Sequence, residues 1–331
     1  MKRPLITVAV TAALVAAPVP AAAHGPLEAD CTAVCHFDVP PGVYDVAVVL
    51  GDPAAAGVTA VRAEARRMML AAIATEPGRF TRRQFSVDVR DPEGEPTKTA
   101  SGSPGLTLTF TGAAPRVRHV TVRPARRPPM LFLAGDSTVC DQDTAPYTGW
   151  GQALPQHLRL GVTVANYADS GESTASFLAD PRLWAAMLAR AGRGDVVLIQ
   201  FGHNDKTTTA ADYRANLTRM VTEVRGRHAR PVLVSPPVRR RFDATGRLDE
   251  VARHVNGLGV NLPAEMAAVA AEQTVPYIDL TADSAALVEG LGIEPSKALY
   301  LPDLRDYTHF SEAGADQIAR LVLARLSDLG R

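Results

Sequence analysis

The chain has 331 residues, 46% hydrophobic and 21% charged, which excludes intrinsic disorder and exceeds what one average domain uses. Lys plus Arg and Asp plus Glu both count 35, so the basic excess with which proteins track phosphate is absent, and nucleic acid is excluded as the main partner.

The first segment differs from the rest. Lys2 and Arg3 precede an apolar run over residues 5–19, and Ala21-Ala22-Ala23 follows as a small-residue cleavage site. Residues 1–23 therefore read as a secretory signal peptide. Pro18 and Pro20 interrupt the run before the roughly 20 apolar residues that a membrane span needs. The expected product is secreted and extracellular, with no membrane attachment after cleavage. Loss of Lys2 and Arg3 takes the 35 basic side chains to 33, against 35 acidic ones, so the mature chain is nearly neutral. In an oxidising compartment Cys31 and Cys35 are expected to form a small-loop disulfide, because His36 alone does not complete a zinc site. Cys140 is left as a free thiol.

Between residues 36 and 125 polarity alternates with a period of two. Tyr44, Val46 and Val48 alternate with Asp45 and Ala47; Phe85, Val87 and Val89 with Ser86 and Asp88; Leu106, Leu108 and Phe110 with Thr107 and Thr109. Pro40-Pro41-Gly42, Gly51-Asp52-Pro53, Asp91-Pro92 and Gly112 supply turn chemistry. The expectation for residues 24–125 is a small all-β sandwich of about six strands, either a structural module or a carbohydrate-binding one. The proline-bounded connector at 124–129 is short and stiff and should fix this module against the second half of the chain.

From Met130 onward strands alternate with helices. Apolar strands are expected at 130–133, 162–167, 196–201, 232–234 and 275–280, with helices at 150–158, 182–191 and 263–272. Tyr213, Leu217, Met220, Val221 and Val224 mark another helix, and Ile318, Leu321, Val322 and Leu326 the last one. Such a pattern over residues 130–331 predicts an α/β domain, a parallel sheet covered on both faces. Ligands then bind beyond the carboxyl ends of the strands.

Four strand ends carry residues that a core would not choose. Gly135-Asp136-Ser137-Thr138 puts a serine at the mouth of the sheet after a glycine that permits a sharp turn, although a helix N-cap would use the same residues. In Asn166-Tyr-Ala-Asp-Ser-Gly171-Glu-Ser173, the N–H of Gly171 can serve as an oxyanion donor. Ser173 is a rival nucleophile, since Gly171-Glu-Ser173-Thr-Ala175 nearly matches G-x-S-x-G. In Gly202-His203-Asn204-Asp205 the Asn204 carboxamide can donate to an oxyanion, while His203 and Asp205 read as structural hydrogen-bonding groups. In Asp306-Tyr-Thr-His309 the i, i+3 spacing on one turn lets the carboxylate hold the imidazole in the tautomer of a general base; Asp303 is a second carboxylate nearby.

Taken together and in this order, these blocks resemble the SGNH (GDSL-type) hydrolase family over residues 130–325. Ala-Gly-Asp-Ser-Thr, Gly-Trp-Gly-Gln and Phe-Gly-His-Asn-Asp are similar in wording to its rhamnogalacturonan acetylesterases, some relatives of which carry an N-terminal β-sandwich. Glu172 departs from the basic residue expected between Gly and Ser in the second block. The resemblance implies a three-layer, flavodoxin-like α/β fold and removal of acetyl groups from plant cell-wall polysaccharide. It implies a triad of Ser137, Asp306 and His309, an oxyanion hole from the N–H groups of Ser137 and Gly171 with Asn204, and no metal or organic cofactor. Arg239, Arg240 and Arg241 follow the strand at 232–234 as candidate substrate-binding residues, at least one of which is expected to meet the carboxylates of a galacturonate-containing polymer, with a solvated basic run as the alternative. A lipase or aryl esterase on the same scaffold, or a non-catalytic polysaccharide-binding protein, are the competing functions; the intact Ser137, Asp306 and His309 weigh against the last.

Overall fold

The computed structural model describes residues 26–90, 104–126 and 128–329. The leader at 1–23, the Asp91-Pro92 turn and Arg127 of the connector lie outside the described residues.

Among the described residues eight strands come first: β1 (Leu27–Ala29), β2 (Val34–Phe37), β3 (Gly42–Leu50), β4 (Gly57–Ala63), β5 (Arg67–Thr75), β6 (Thr81–Val89), β7 (Leu106–Ala114) and β8 (Val117–Pro124). They form two four-stranded antiparallel sheets, ordered β1-β8-β3-β6 and β2-β7-β4-β5. Val46, Val48, Leu50 and Phe85 of the first sheet share one apolar cluster with Val61, Leu106, Leu108 and Phe110 of the second. Cys31 and Cys35 are disulfide-bonded within that cluster, with their Cα atoms 5.8 Å apart. The expected alternation fails at the end of β6, where Ser86 and Asp88 are as buried as Phe85 and Val87. The outer face of that strand meets the second half of the chain: Gly161 N donates to Ser86 Oγ at 3.0 Å, and Arg190 pairs with Asp88.

The second half contains β9 (Met130–Gly135), α1 (Trp150–Ala153), β10 (Thr163–Asn166), α2 (Thr174–Ala179), α3 (Ala186–Arg190), β11 (Val196–Gln200) and α4 (Ala210–Gly226). It continues with β12 (Arg230–Val234), α5 (Leu262–Gln273), β13 (Tyr277–Ile278), α6 (Leu280–Leu291), β14 (Tyr300–Leu301), β15 (Asp306–Phe310) and α7 (Glu312–Leu329). Strands β9 to β13 pair in parallel, in the order β10-β9-β11-β12-β13. Each strand feeds both faces. Leu131 and Leu133 join Trp150 and Ile318 on one side, while Phe132 and Ala134 join Phe177, Trp184 and Tyr213 on the other. A strand buried on both faces must be apolar throughout. In this order the direction of winding reverses between β9 and β11, which opens a crevice beyond their carboxyl ends.

Two expectations need correction. The strand expected at 275–280 is only Tyr277–Ile278, and a helix, α6, starts within that range. The Asp279 side chain accepts from Ala282 N at 3.0 Å, which caps the new helix and ends the strand. The helix expected at 150–158 is one α-turn continued as a 3₁₀ segment, Leu154–His157, with Pro155 near its start.

The two halves are tied by buried charge. The Arg67 side chain, 1% exposed, reaches Asp141, 2% exposed, with Nε to Oδ2 at 2.9 Å, and its Nη1 donates to Asp88 O at 2.9 Å. Removing one partner of a buried pair strands the other, at a cost of about 3–5 kcal/mol. Arg67→Met is therefore expected to lower the urea midpoint by that equivalent; a loss below about 1 kcal/mol, the range of exposed pairs, would show the interface to be solvated.

Candidate active site

The site forms where β9, β10, β11 and β15 end. A Cβ on Gly135 would lie 2.6 Å from Val139 Cγ2 and 3.1 Å from Gln200 O, so only glycine lets β9 close against its neighbours there. Its φ is not among the positive ones, so close approach rather than a sharp turn is what requires it. No helix follows for Ser137 to cap, since the next one, α1, starts only at Trp150; Asp136 instead holds a turn. Its Oδ1 accepts from Thr138 N at 3.0 Å and from Thr138 Oγ1 at 2.7 Å. Ser137 Oγ is thereby left to meet His309 Nε2 at 2.8 Å.

His309 Nδ1 lies 2.6 Å from Asp306 Oδ2. The expected helical turn is absent, because Asp306–Phe310 is a strand paired with β14. Alternating strand geometry would separate residues three apart. Instead the Asp306 carboxylate folds back over its own chain, Oδ1 accepting from Thr308 N at 2.8 Å and from His309 N at 3.0 Å. Burial raises this carboxyl, but the bonds from His309 and Thr308 outweigh it and hold Asp306 well below the usual carboxylate range. Asp303 is exposed on a 3₁₀ turn. The Tyr147 ring stands edge-on to His309 with centroids 5.5 Å apart, a neighbour that the sequence did not reveal.

Gly171 adopts φ +90°, and a Cβ there would meet nothing, so conformation rather than space demands glycine. Its loop is bound to that of Ser137: Asp169 N donates to Gly135 O at 3.1 Å, and Gln142 Nε2 reaches Ser137 O at 2.8 Å and Ser170 Oγ at 3.4 Å. Asn204 Nδ2 donates to Glu172 O at 3.0 Å, which brings the β11 end to the same loop, and its second hydrogen has no bond among the described residues. Ser173 caps α2, accepting from Ser176 N at 3.2 Å, and is half-buried. Cys140 is fully buried and outside any disulfide, its Sγ 3.5 Å from Ser170 Oγ.

His203 and Asp205 turn inward. Asp205 accepts from Thr174 Oγ1 at 2.6 Å, and His203 Nδ1 faces Asp136 Oδ2 at 3.3 Å. Burial raises the Asp136 carboxyl, yet His203 and Thr138 outweigh it and hold it at about 2. The arginine run divides. Arg240 is buried, its Nε on Ser296 Oγ at 3.0 Å and its Nη2 on Ile293 O, so it braces the fold and does not face substrate, which corrects the expectation for it. Arg239 bonds to Thr308 Oγ1 and His203 O, and Arg241 pairs with Asp249 at 2.7 Å. Both line a cavity of about 650 Å³ together with Lys206, Arg305 and Asp306. Neither Ser137 nor His309 lines it; it adjoins them through Asp306, bonded to His309, and His203, which faces Asp136 beside Ser137. Lys206 and Arg305 escaped the sequence reading because nothing in their local pattern brings two distant loops together.

Comparison with known proteins bears on this arrangement. Residues 133–317 match the GDSL-like Lipase/Acylhydrolase family. Rhamnogalacturonan acetylesterase RhgT of Bacillus subtilis (strain 168) is 40% identical over 222 residues, 62% of this chain and 92% of that protein. The uncharacterized esterase YxiM of the same strain is 28% identical over 304 residues, 89% of this chain and 74% of that protein. The crystal structure of YxiM superposes with a TM-score of 0.58 at 27% identity, covering 89% of this chain and 80% of that one. That coverage reaches into the N-terminal sheets. The chain belongs to the GDSL-like lipase/acylhydrolase family.

Proposed function

We propose that the protein is a secreted serine esterase that removes acetyl groups from plant cell-wall polysaccharide, rhamnogalacturonan or a related pectin. The observation that carries this reading is the relay from Ser137 Oγ through His309 to Asp306, with bonds of 2.8 and 2.6 Å, in a chain 40% identical to a rhamnogalacturonan acetylesterase. His309 Nε2 takes the proton of Ser137 as its oxygen attacks the acetyl carbonyl. The N–H groups of Ser137 and Gly171 and the second hydrogen of Asn204 receive the oxyanion. Collapse returns the proton to the departing sugar oxygen; His309 then deprotonates water, which releases acetate from the acyl-enzyme.

In this reading residues 1–23 are the export signal, 24–125 a β-sandwich module and 130–331 the hydrolase domain. The cations Lys206, Arg239, Arg241 and Arg305 around the cavity suit a polymer that carries uronate carboxylates. Acetate release from acetylated rhamnogalacturonan, homogalacturonan and xylan, beside a small neutral acetyl ester, tests the assignment. Preferential release from the pectins is expected. Activity confined to long-chain acyl esters would overturn it in favour of a lipase. Lys206→Ala and Arg241→Ala are expected to raise KM for the pectic polymer in a salt-sensitive way while leaving the small ester unaffected. Equal effects on both substrates would rule out a carboxylate contact at these residues.

A further inference from the structure

The tip of the β4–β5 hairpin, Glu64 to Arg66, projects from the N-terminal sheets onto the loop that follows Ser137. Glu64 and Arg66 are both in the left-handed region, at φ 55° and 57°, although neither is glycine. Such conformations persist where surrounding contacts enforce them. Here the contacts are specific. Arg66 Nη1 donates to two backbone carbonyls, Gln142 O at 3.1 Å and Tyr147 O at 3.0 Å, and its Nη2 reaches Glu312 Oε1 at 3.2 Å. Gln152 Nε2 bridges Ala65 O at 2.7 Å and Gln142 O at 2.8 Å.

Both residues held by Arg66 contact the residues that carry the reacting groups. Gln142 Nε2 donates to Ser137 O at 2.8 Å, and the Tyr147 ring packs edge-on against His309 at 5.5 Å. One guanidinium thus fixes the spacing between the segment that anchors the nucleophile's backbone and the segment that walls the base. Arg62, on the same face, pairs with Glu312 at 2.8 Å and has no bond to Gln142 or Tyr147 among those of the described residues.

We propose that Arg66 is a positioning residue for the esterase reaction: through Gln142 and Tyr147 it sets the distance between Ser137 and His309, so the N-terminal module completes the active site. The proposal rests on the esterase reading above. It gives that module a role in the chemistry itself, apart from any carbohydrate it binds.

The test uses the full chain and p-nitrophenyl acetate, a substrate too small to touch the N-terminal sheets. Displacement of a reacting group from alignment costs up to about 10²-fold in rate. Arg66→Ala is accordingly expected to lower kcat by about 10-fold to 10²-fold with KM little changed, and to slow labelling of Ser137 by an organophosphonate in parallel. Arg66→Lys, which can still bridge two carbonyls, and free guanidinium added to Arg66→Ala should each restore part of the loss. Arg62→Ala removes only the Glu312 contact and should keep the wild-type kcat. If Arg66→Ala is recovered unfolded, Arg66→Met, which retains the stem, carries the same expectation. Wild-type kcat and labelling in the Arg66 variants, at any melting temperature, would overturn the proposal, as would equal losses in the Arg62 and Arg66 variants. A wild-type protein that neither hydrolyses the ester nor is labelled overturns the esterase reading and this inference with it.

Discussion

Ser137→Ala is expected to lower kcat by on the order of 10⁶-fold, the loss found when a nucleophile is removed from a triad that works as a unit. The fold should be untouched, because the side chain's bond in the structure is to His309 and the turn is held by Asp136 and Thr138. Ser173→Ala is the matched control. It deletes the cap of α2, worth about 1 kcal/mol, and leaves the relay intact, so turnover should stay close to wild type. Initial rates of acetate release from one small ester, with both variants checked for native melting, decide the matter. An inactive Ser173→Ala beside an active Ser137→Ala would move the nucleophile to the second loop and dissolve the relay of Ser137, His309 and Asp306.

The parts of this molecule that could be read from sequence are those whose cause is local. Val197, Leu198 and Ile199 are buried on alternate faces of β11, so a continuous apolar run was the only pattern that could fill the position. Gly202-His203-Asn204-Asp205 stood out because a strand so buried has no packing reason to end in polar groups. The pairing of Asp306 with His309 was also legible, although for the wrong geometric reason: the carboxylate folds back within a strand and accepts two backbone N–H groups. What stayed hidden depends on distant partners. Arg66 meets Tyr147 across a separation of 81 residues, and no period or motif encodes that meeting. The arginine run shows the same limit, since three consecutive cations take three fates, one buried against Ser296, one bonded to Thr308 and one paired with Asp249. Burial of Ser86 and Asp88 follows equally from a neighbour that β6 alone does not announce.

The orienting role of Asp306 leads to the second large effect. Asp306→Asn retains the shape of the side chain but exchanges an acceptor for a group that can also donate, so the imidazole is no longer held with its proton on Nδ1 and its lone pair toward Ser137. The charge that stabilises the imidazolium formed during attack is lost as well. Together these cost about 10⁴-fold in kcat where they have been separated from folding, and that fall is expected here, measured by single-turnover acetate release. Asp303→Asn should leave the rate unchanged, because that carboxylate is exposed and has no bond to His309 among those of the described residues. A loss below about tenfold in Asp306→Asn, against the 10⁴ expected, would transfer the orienting role to another group. The pH profile sharpens the test. Activity should fall on acidification because the base must be free to accept the Ser137 proton. Asp306, held well below the usual carboxylate range by His309 and Thr308, remains ionised throughout that fall. The wild-type acid limb should therefore follow a single ionisation. Two protons taken up together on that limb would mean that the carboxylate titrates with the imidazole, and the hydrogen-bonded fold-back at Asp306 would then not be what keeps it charged.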